Sequence, residues 1–425
     1  MKPTTGWRRR LDRWLDPFLD VLGDKRRRAW APLYILGLLL PGERKSMQPI
    51  SARVAPKDAE QIHHFVATSP WDAEPLEEVL CRKADEMLGG ESSFLIVDDT
   101  ALPKKGKESV GVAHQYCGAL GKQANCQSLV SLTLARDEVP IPIALRLYMP
   151  KEWTKDRERC EAAKVPDTIS YRPKWQIALD EIDRVRAAGV RFGGVLADAG
   201  YGACAEFRQG LTKRDLLWAV GIISTQNMYP ANVKVSMPAS RKAGRARVHP
   251  KVGTAACSAE KFMEKHGRFR KVSWREGTKG TLSGNFAIVR VRPADGPAAS
   301  NGIHLPGDHP GWLVCERLDN GDKKFSLVNL PASAPPQEIV GAIKARWACE
   351  QAHQQMKEEL GLDHFEGRSW TGLHHHVLLT MIAFAFLQHL RLTENKSAAQ
   401  RDDVPGHAAS YSQARGPSSR CVGAV

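Results

Sequence analysis

Asp99, Asp198 and Glu350 have the chemistry and the setting that phosphoryl transfer needs. Asp99 follows the apolar run Phe94-Leu95-Ile96-Val97, and Asp198 follows Gly194-Val195-Leu196-Ala197. Glu350 sits in the helical stretch RWACEQAHQQMKEELGL. Two carboxylates at the ends of buried strands and a third on a helix can converge on one point. Such a trio supplies hard oxygen ligands and negative charge, which a pair of Mg²⁺ or Mn²⁺ ions requires, and leaves positions open for phosphate. Asp98 is the immediate neighbour of Asp99, and strand alternation sends the two to opposite faces, so only one enters the site easily.

The charge agrees with a phosphate-bearing partner. The 425 residues hold 61 Lys and Arg against 47 Asp and Glu, a formal net charge of +14. That balance favours a polyanion, most simply DNA or RNA. The nine cysteines are scattered and none forms a C-x-x-C pair, which argues against a disulfide framework or zinc ribbon and fits a reducing cytoplasm. The apolar stretches near 30–40 and 377–387 are about half the length of a membrane span, so both read as buried helices and no membrane partner is expected.

Around the carboxylates the pattern reads as five regions. Residues 1–90 read as a helical, DNA-binding region that opens with a basic segment in which Trp7, Trp14 and Phe18 interleave with arginines. From 91 to 223 comes strand 94–98, a hairpin from 127–135 and 139–149, a helix at 173–189, strand 194–198, a helix near 203–214 and strand 216–223. Residues 224–335 read as a β-rich insertion, 336–393 as closing helices including one long helix at 336–360, and 394–425 as a disordered tail. The β-β-β-α-β-α-β order followed by a helix is that of an α/β, RNase H-like mixed sheet flanked by helices. In that order the acidic residues stand on the first strand, after the fourth strand and on the last helix.

At these residues the chain resembles the DDE superfamily of bacterial insertion-sequence transposases. The likeness rests on FLIVDDT, GVLADAGYG and a last helix in which Arg346, Glu350 and Lys357 keep an R-x3-E-x6-K spacing. At 100° per residue these three lie within about 40° of one another. The signature tyrosine of that branch would fall at 343, where this chain has Ile343. The D-T pairing of the family favours Asp99 as the first ligand. The resemblance implies cut-and-paste DNA transposition with two Mg²⁺ or Mn²⁺ ions held by Asp99, Asp198 and Glu350. It also implies contact with terminal inverted repeats and target DNA, self-association on DNA, and work in the bacterial cytoplasm at the nucleoid.

Further DNA contacts are expected from Arg346 and Lys357 at the cut site and from Lys104 and Lys105 after the first aspartate strand. Arg241, Lys242, Arg245 and Arg247 lie in an acid-free basic loop. Trp312, with Trp274 second, is expected to stack on an unpaired base. His374-His375-His376 invites a metal-site reading, but consecutive helix residues point 100° apart and cannot easily share one ion.

Overall fold

The computed structural model describes residues 5–237, 250–277, 280–298 and 304–402. Five helices lead: α1 (Thr5–Leu22), α2 (Lys25–Leu39), α3 (Met47–Val54), α4 (Ala59–Ala67) and α5 (Glu74–Leu88). In α1 the buried residues Leu11, Trp14, Leu15, Phe18 and Leu22 recur at helical spacing, so one stripe is core and Arg9 and Arg13 face outward. The interleaved aromatics therefore pack inward: Trp7 and Trp14 both lie against Phe386.

The sheet begins with β1 (Gly90–Pro103), β2 (Ala113–Cys117), β3 (Lys122–Arg136) and β4 (Val139–Leu147). Short helices α6 (Lys151–Lys155) and α7 (Arg157–Ala162) lead into α8 (Lys174–Ala187), and β5 (Phe192–Ala197), α9 (Ala199–Gly202), α10 (Ala205–Thr212) and β6 (Trp218–Ile222) follow. β3 pairs antiparallel with β1 and with β4, while β5 is parallel to β1 and β6 to β5. The order β4-β3-β1-β5-β6 with these directions is the RNase H-like arrangement that the sequence order implied. A cluster of buried charges ties the helices to the sheet. Arg146 on β4 forks onto Glu77 of α5 and donates to Glu181 of α8 at 2.8 Å, and Arg184 bonds Glu181 at 2.8 Å. Burial opposes ionisation of Glu181 most strongly, but Arg146 and Arg184 outweigh it and hold the carboxyl below its usual range.

The expected insertion extends this sheet at its edge. β7 (Asn227–Pro230), the paired β8 (Val235–Ser236) and β9 (Lys251–Val252), β10 (Cys257–Ser258), α11 (Ala259–His266), β11 (Arg270–Gly277), β12 (Gly280–Pro293), β13 (Gly311–Arg317) and β14 (Lys323–Val328) follow in turn. β14 pairs with β6, so insertion and core form one 12-stranded sheet among the described residues. The single helix expected over 336–360 is two, α12 (Pro336–Ala345) and α13 (Trp347–Glu358), meeting at Arg346. The last helix, α14 (Trp370–Asp402), runs through the first part of the stretch read as a disordered tail; residues 403–425 lie outside the described residues. Its apolar portion Trp370–Glu394 is long enough to cross a bilayer, yet 67% of its most apolar window is buried inside the protein.

Candidate active site

β1 and β5 run parallel with Ile96 opposite Leu196 and Val97 opposite Ala197. One residue further on, Asp98 and Asp198 are level. Directly opposed residues of neighbouring strands share a face. Ile96 and Leu196 belong to the apolar cluster under Ile339, Val340, Ala348 and Cys349 of α12 and α13. Asp98 and Asp198, two residues past them, keep that face. Arg346 donates to Asp98 at 2.7 Å and also pairs with Glu350, while the Cys349 thiol lies 3.2 Å from the same Asp98 oxygen. Asp98, Asp198, Arg346 and Glu350 therefore gather between the sheet and α13.

Asp99 does not join them. It shares its face with Leu95 and Val97, which pack into the other apolar cluster. There it accepts from the Tyr201 hydroxyl at 2.5 Å and from Lys174 of α8 at 2.5 Å, and Lys174 also reaches the Ser128 hydroxyl at 2.8 Å. The expectation that Asp99 faces Glu350 is corrected by this parity. The register to β5, which local sequence does not reveal, selects Asp98. Asp99 still touches the site indirectly, because Tyr201 donates its backbone N–H to Asp198 at 3.2 Å.

Asp198 caps the single turn of α9 in extended backbone. That turn lies flat on β6: a Cβ at Gly202 would stand 2.0 Å from the Gly221 carbonyl oxygen. The missing side chain at Gly202 thereby lets the turn seat Asp198. Burial, more than any neighbour, pushes the Asp98 carboxyl up to about 6, with Asp198 adding to the rise and Arg346 opposing it. Asp198 is raised for the same first reason. One buried and one part-buried carboxylate, with oxygen-only donors, suit a hard divalent cation. Among the described residues no three His, Cys, Asp or Glu side chains already form a metal-ligand group; Arg346 pairs with both Asp98 and Glu350 and supplies positive charge there.

A family model described as DDE superfamily endonuclease matches residues 17–281, more than half of the chain. The chain belongs to that superfamily. The matched region contains Asp98 and Asp198 and stops before Glu350. Over 190 residues it is 32% identical to the probable transposase for insertion sequence element IS701 of Microchaete diplosiphon, covering 44% of this chain and 47% of that protein. It thus spans about half the length of that relative. Among solved structures, a piggyBac transposase synaptic complex with hairpin DNA aligns at 8% identity and TM-score 0.41, over 93% of this chain and 74% of the other. The NurA nuclease from Sulfolobus solfataricus aligns at 10% identity and TM-score 0.25, over 83% and 97%.

The remaining expected contacts divide. Lys105 is exposed, whereas Lys104 donates to the Phe365 carbonyl at 2.6 Å and holds the segment after α13, so it is not a free phosphate ligand. Lys357 is half-buried near Asp363, Cys117 and Cys126, with burial lowering its pKa. It stands seven residues past Glu350 in the same helix, on the same stripe. Trp312 is committed to the insertion: its indole N–H reaches the Pro331 carbonyl at 3.2 Å, and Arg290 covers the ring at 4.8 Å. Trp274 packs edge-on against Phe286. Arg241, Lys242, Arg245 and Arg247 lie outside the described residues. His353 is buried, and burial drives its pKa down to about 3. The three consecutive histidines diverge as helix geometry requires: His374 bonds Trp370, His375 bonds Val66 and Trp71, and His376 bonds Tyr34 and the 361–362 carbonyls.

One functional candidate escaped the sequence reading. Trp347 follows Arg346, opens α13 and is 60% exposed, one turn from Glu350. The signal was present in the pair Arg346-Trp347: a large aromatic on the polar face of a helix that buries Ala348, Cys349 and Ala352.

Proposed function

We propose that this DDE endonuclease is an insertion-sequence transposase. It would cut DNA phosphodiesters at the ends of its element, free the element by cut-and-paste, and join the 3′ ends to target DNA. The observation that carries this reading is the level placement of Asp98 and Asp198 on adjacent parallel strands, facing Arg346 and Glu350 on α13. Asp98, Asp198 and Glu350 would hold two Mg²⁺ or Mn²⁺ ions. Such ions supply Lewis acidity to the scissile phosphate and lower the pKa of the attacking water or 3′-hydroxyl.

The chain's own residues do the positioning. Arg346, neutralising Asp98 and Glu350 in the free protein, stands where an incoming phosphate oxygen would compete for its guanidinium. Trp347 offers a flat apolar face beside the cut. Tyr201 fixes Asp198 through its backbone and Asp99 through its hydroxyl, keeping the β5–α9 turn at one height against β1. Lys105 and the outward arginines of α1 supply sequence-independent attraction for the duplex, and two copies would bring two ends together in the bacterial cytoplasm.

The test incubates the full chain with duplexes carrying the DNA that flanks its coding region, with Mg²⁺ or Mn²⁺, and follows nicking and joined products separately. Asp98→Asn, Asp198→Asn and Glu350→Gln should each abolish nicking while binding persists. Nicking without joined products would reduce the reading to a nuclease. Undiminished nicking by Asp98→Asn or Glu350→Gln would remove the assigned site.

A further inference from the structure

β2 and β3 extend past the end of β1 as a two-stranded ribbon closed by a turn at Gly118–Gly121. Within it His114 pairs with Asn125, and Tyr116 with Gln123. Directly opposed residues point to one side, so these four side chains form one patch. The alternate set, Ala113, Gln115 and Cys117, lies less exposed, and Gln115 bonds the Cys126 carbonyl. Tyr116 is 64% exposed. None of the four patch side chains has a hydrogen-bond partner among the described residues. An unbroken register carries the parity of Ser131, which opposes Asp98, down β3 to Asn125 and Gln123, so the patch shares the sheet face of Asp98. Asp98 and Pro103, which opposes Cys126, stand five residue steps apart along the strand, about 17 Å or roughly five base-pair steps. Exposed lysines Lys105, Lys107 and Lys122 flank the ribbon.

The geometry points to a base-reading element: the β2–β3 ribbon enters the major groove of duplex DNA and reads base edges with Gln123, Asn125 and His114. A two-stranded ribbon fits that groove, and Asn and Gln match the N6/N7 edge of adenine by paired hydrogen bonds. Neutral, uncommitted amides suit base edges, whereas phosphates are met by the surrounding lysines. Continuity with the catalytic face allows one duplex to lie in both. The inference rests on the transposase reading and adds to it the element that gives end selectivity.

The experiment competes the flanking duplex against a scrambled duplex of equal length for the full chain, with salt varied. Wild type should prefer the flanking duplex. Gln123→Ala/Asn125→Ala should lose that preference by at least roughly 5- to 150-fold, the range for one paired base contact. Its affinity for scrambled DNA and its melting temperature should hold. His114→Ala serves as a second, milder variant. Lys105→Ala/Lys122→Ala should weaken both duplexes alike and flatten the salt slope by about 0.9 per phosphate lost. Retained preference in both ribbon variants overturns the inference, as does equal loss on both duplexes. A wild type that binds duplex without preference overturns the inference alone. A wild type that binds no duplex overturns the transposase reading beneath it.

Discussion

Acidification should unpin α14 by a mechanism that can be sized. His376 is fully buried, with Nδ1 accepting from the Tyr34 hydroxyl at 2.8 Å and Nε2 donating to the carbonyls of Gly361 and Leu362. The ring is satisfied as the neutral form. Burial drives the pKa of His376 down to about 4, and those of His374 and His375 likewise. In the unfolded chain a histidine titrates near 6.5. The unfolded state therefore binds protons that the folded state excludes. Stability is full above about pH 6.5 and falls as the pH drops toward about 4. Within that window each ring costs about 1.4 kcal/mol per pH unit, and about 3 kcal/mol in all. Three rings, together with His353, approach the whole stability of a domain, about 5–15 kcal/mol, so unfolding near pH 5 is expected. Asp98, raised to about 6 mainly by burial, works in the opposite sense and offsets part of the loss. Glu181 and Asp183 are held below their usual range and contribute only at lower pH. The assay is urea unfolding followed by tryptophan fluorescence in steps from about pH 7.5 to about pH 4.5. His376→Gln should lower stability at neutral pH and reduce the slope by about 1.4 kcal/mol per pH unit. A slope identical to wild type in that variant would refute the reasoning.

Three further outcomes follow from particular contacts. Asp98→Asn should abolish cleavage, while Asp99→Asn, acting through Tyr201 on Asp198, should reduce it by only about 10- to 100-fold; a dead Asp99→Asn beside an active Asp98→Asn would return the first ligand to Asp99. Arg146→Met strands Glu77 and Glu181 in the interior and should cost about 3–5 kcal/mol in urea unfolding, with much of it recovered by adding Glu77→Gln and Glu181→Gln. Trp347→Ala should leave the melting temperature unchanged, because the ring is exposed, yet weaken binding to a duplex with an unpaired end by about 1–3 kcal/mol relative to a blunt one; equal effects on both substrates would deny it a stacking role.

Much of the fold was legible because its signals are local. Apolar runs before Asp98 and Asp198, the alternation of the 127–149 hairpin and the order of elements specify an RNase H-like sheet. The R-x3-E spacing placed Arg346 beside Glu350. The sequence also determined that three adjacent histidines cannot share an ion, since helix geometry alone separates them. The short strand β2 was missed because Ala113–Cys117 is polar and brief, and its strand character comes from pairing with β3. Which aspartate faces Glu350 lay beyond any local signal. Asp98 and Asp99 differ by one residue, and a one-residue change of parity exchanges the two faces of a strand. Only the register of β1 against β5 and the packing of α13 over Ile96 and Leu196 decide it. The same holds for Lys104 and Trp312. Their residue types suit DNA contact, but the Phe365 carbonyl and the Arg290 guanidinium, both distant in sequence, engage those side chains.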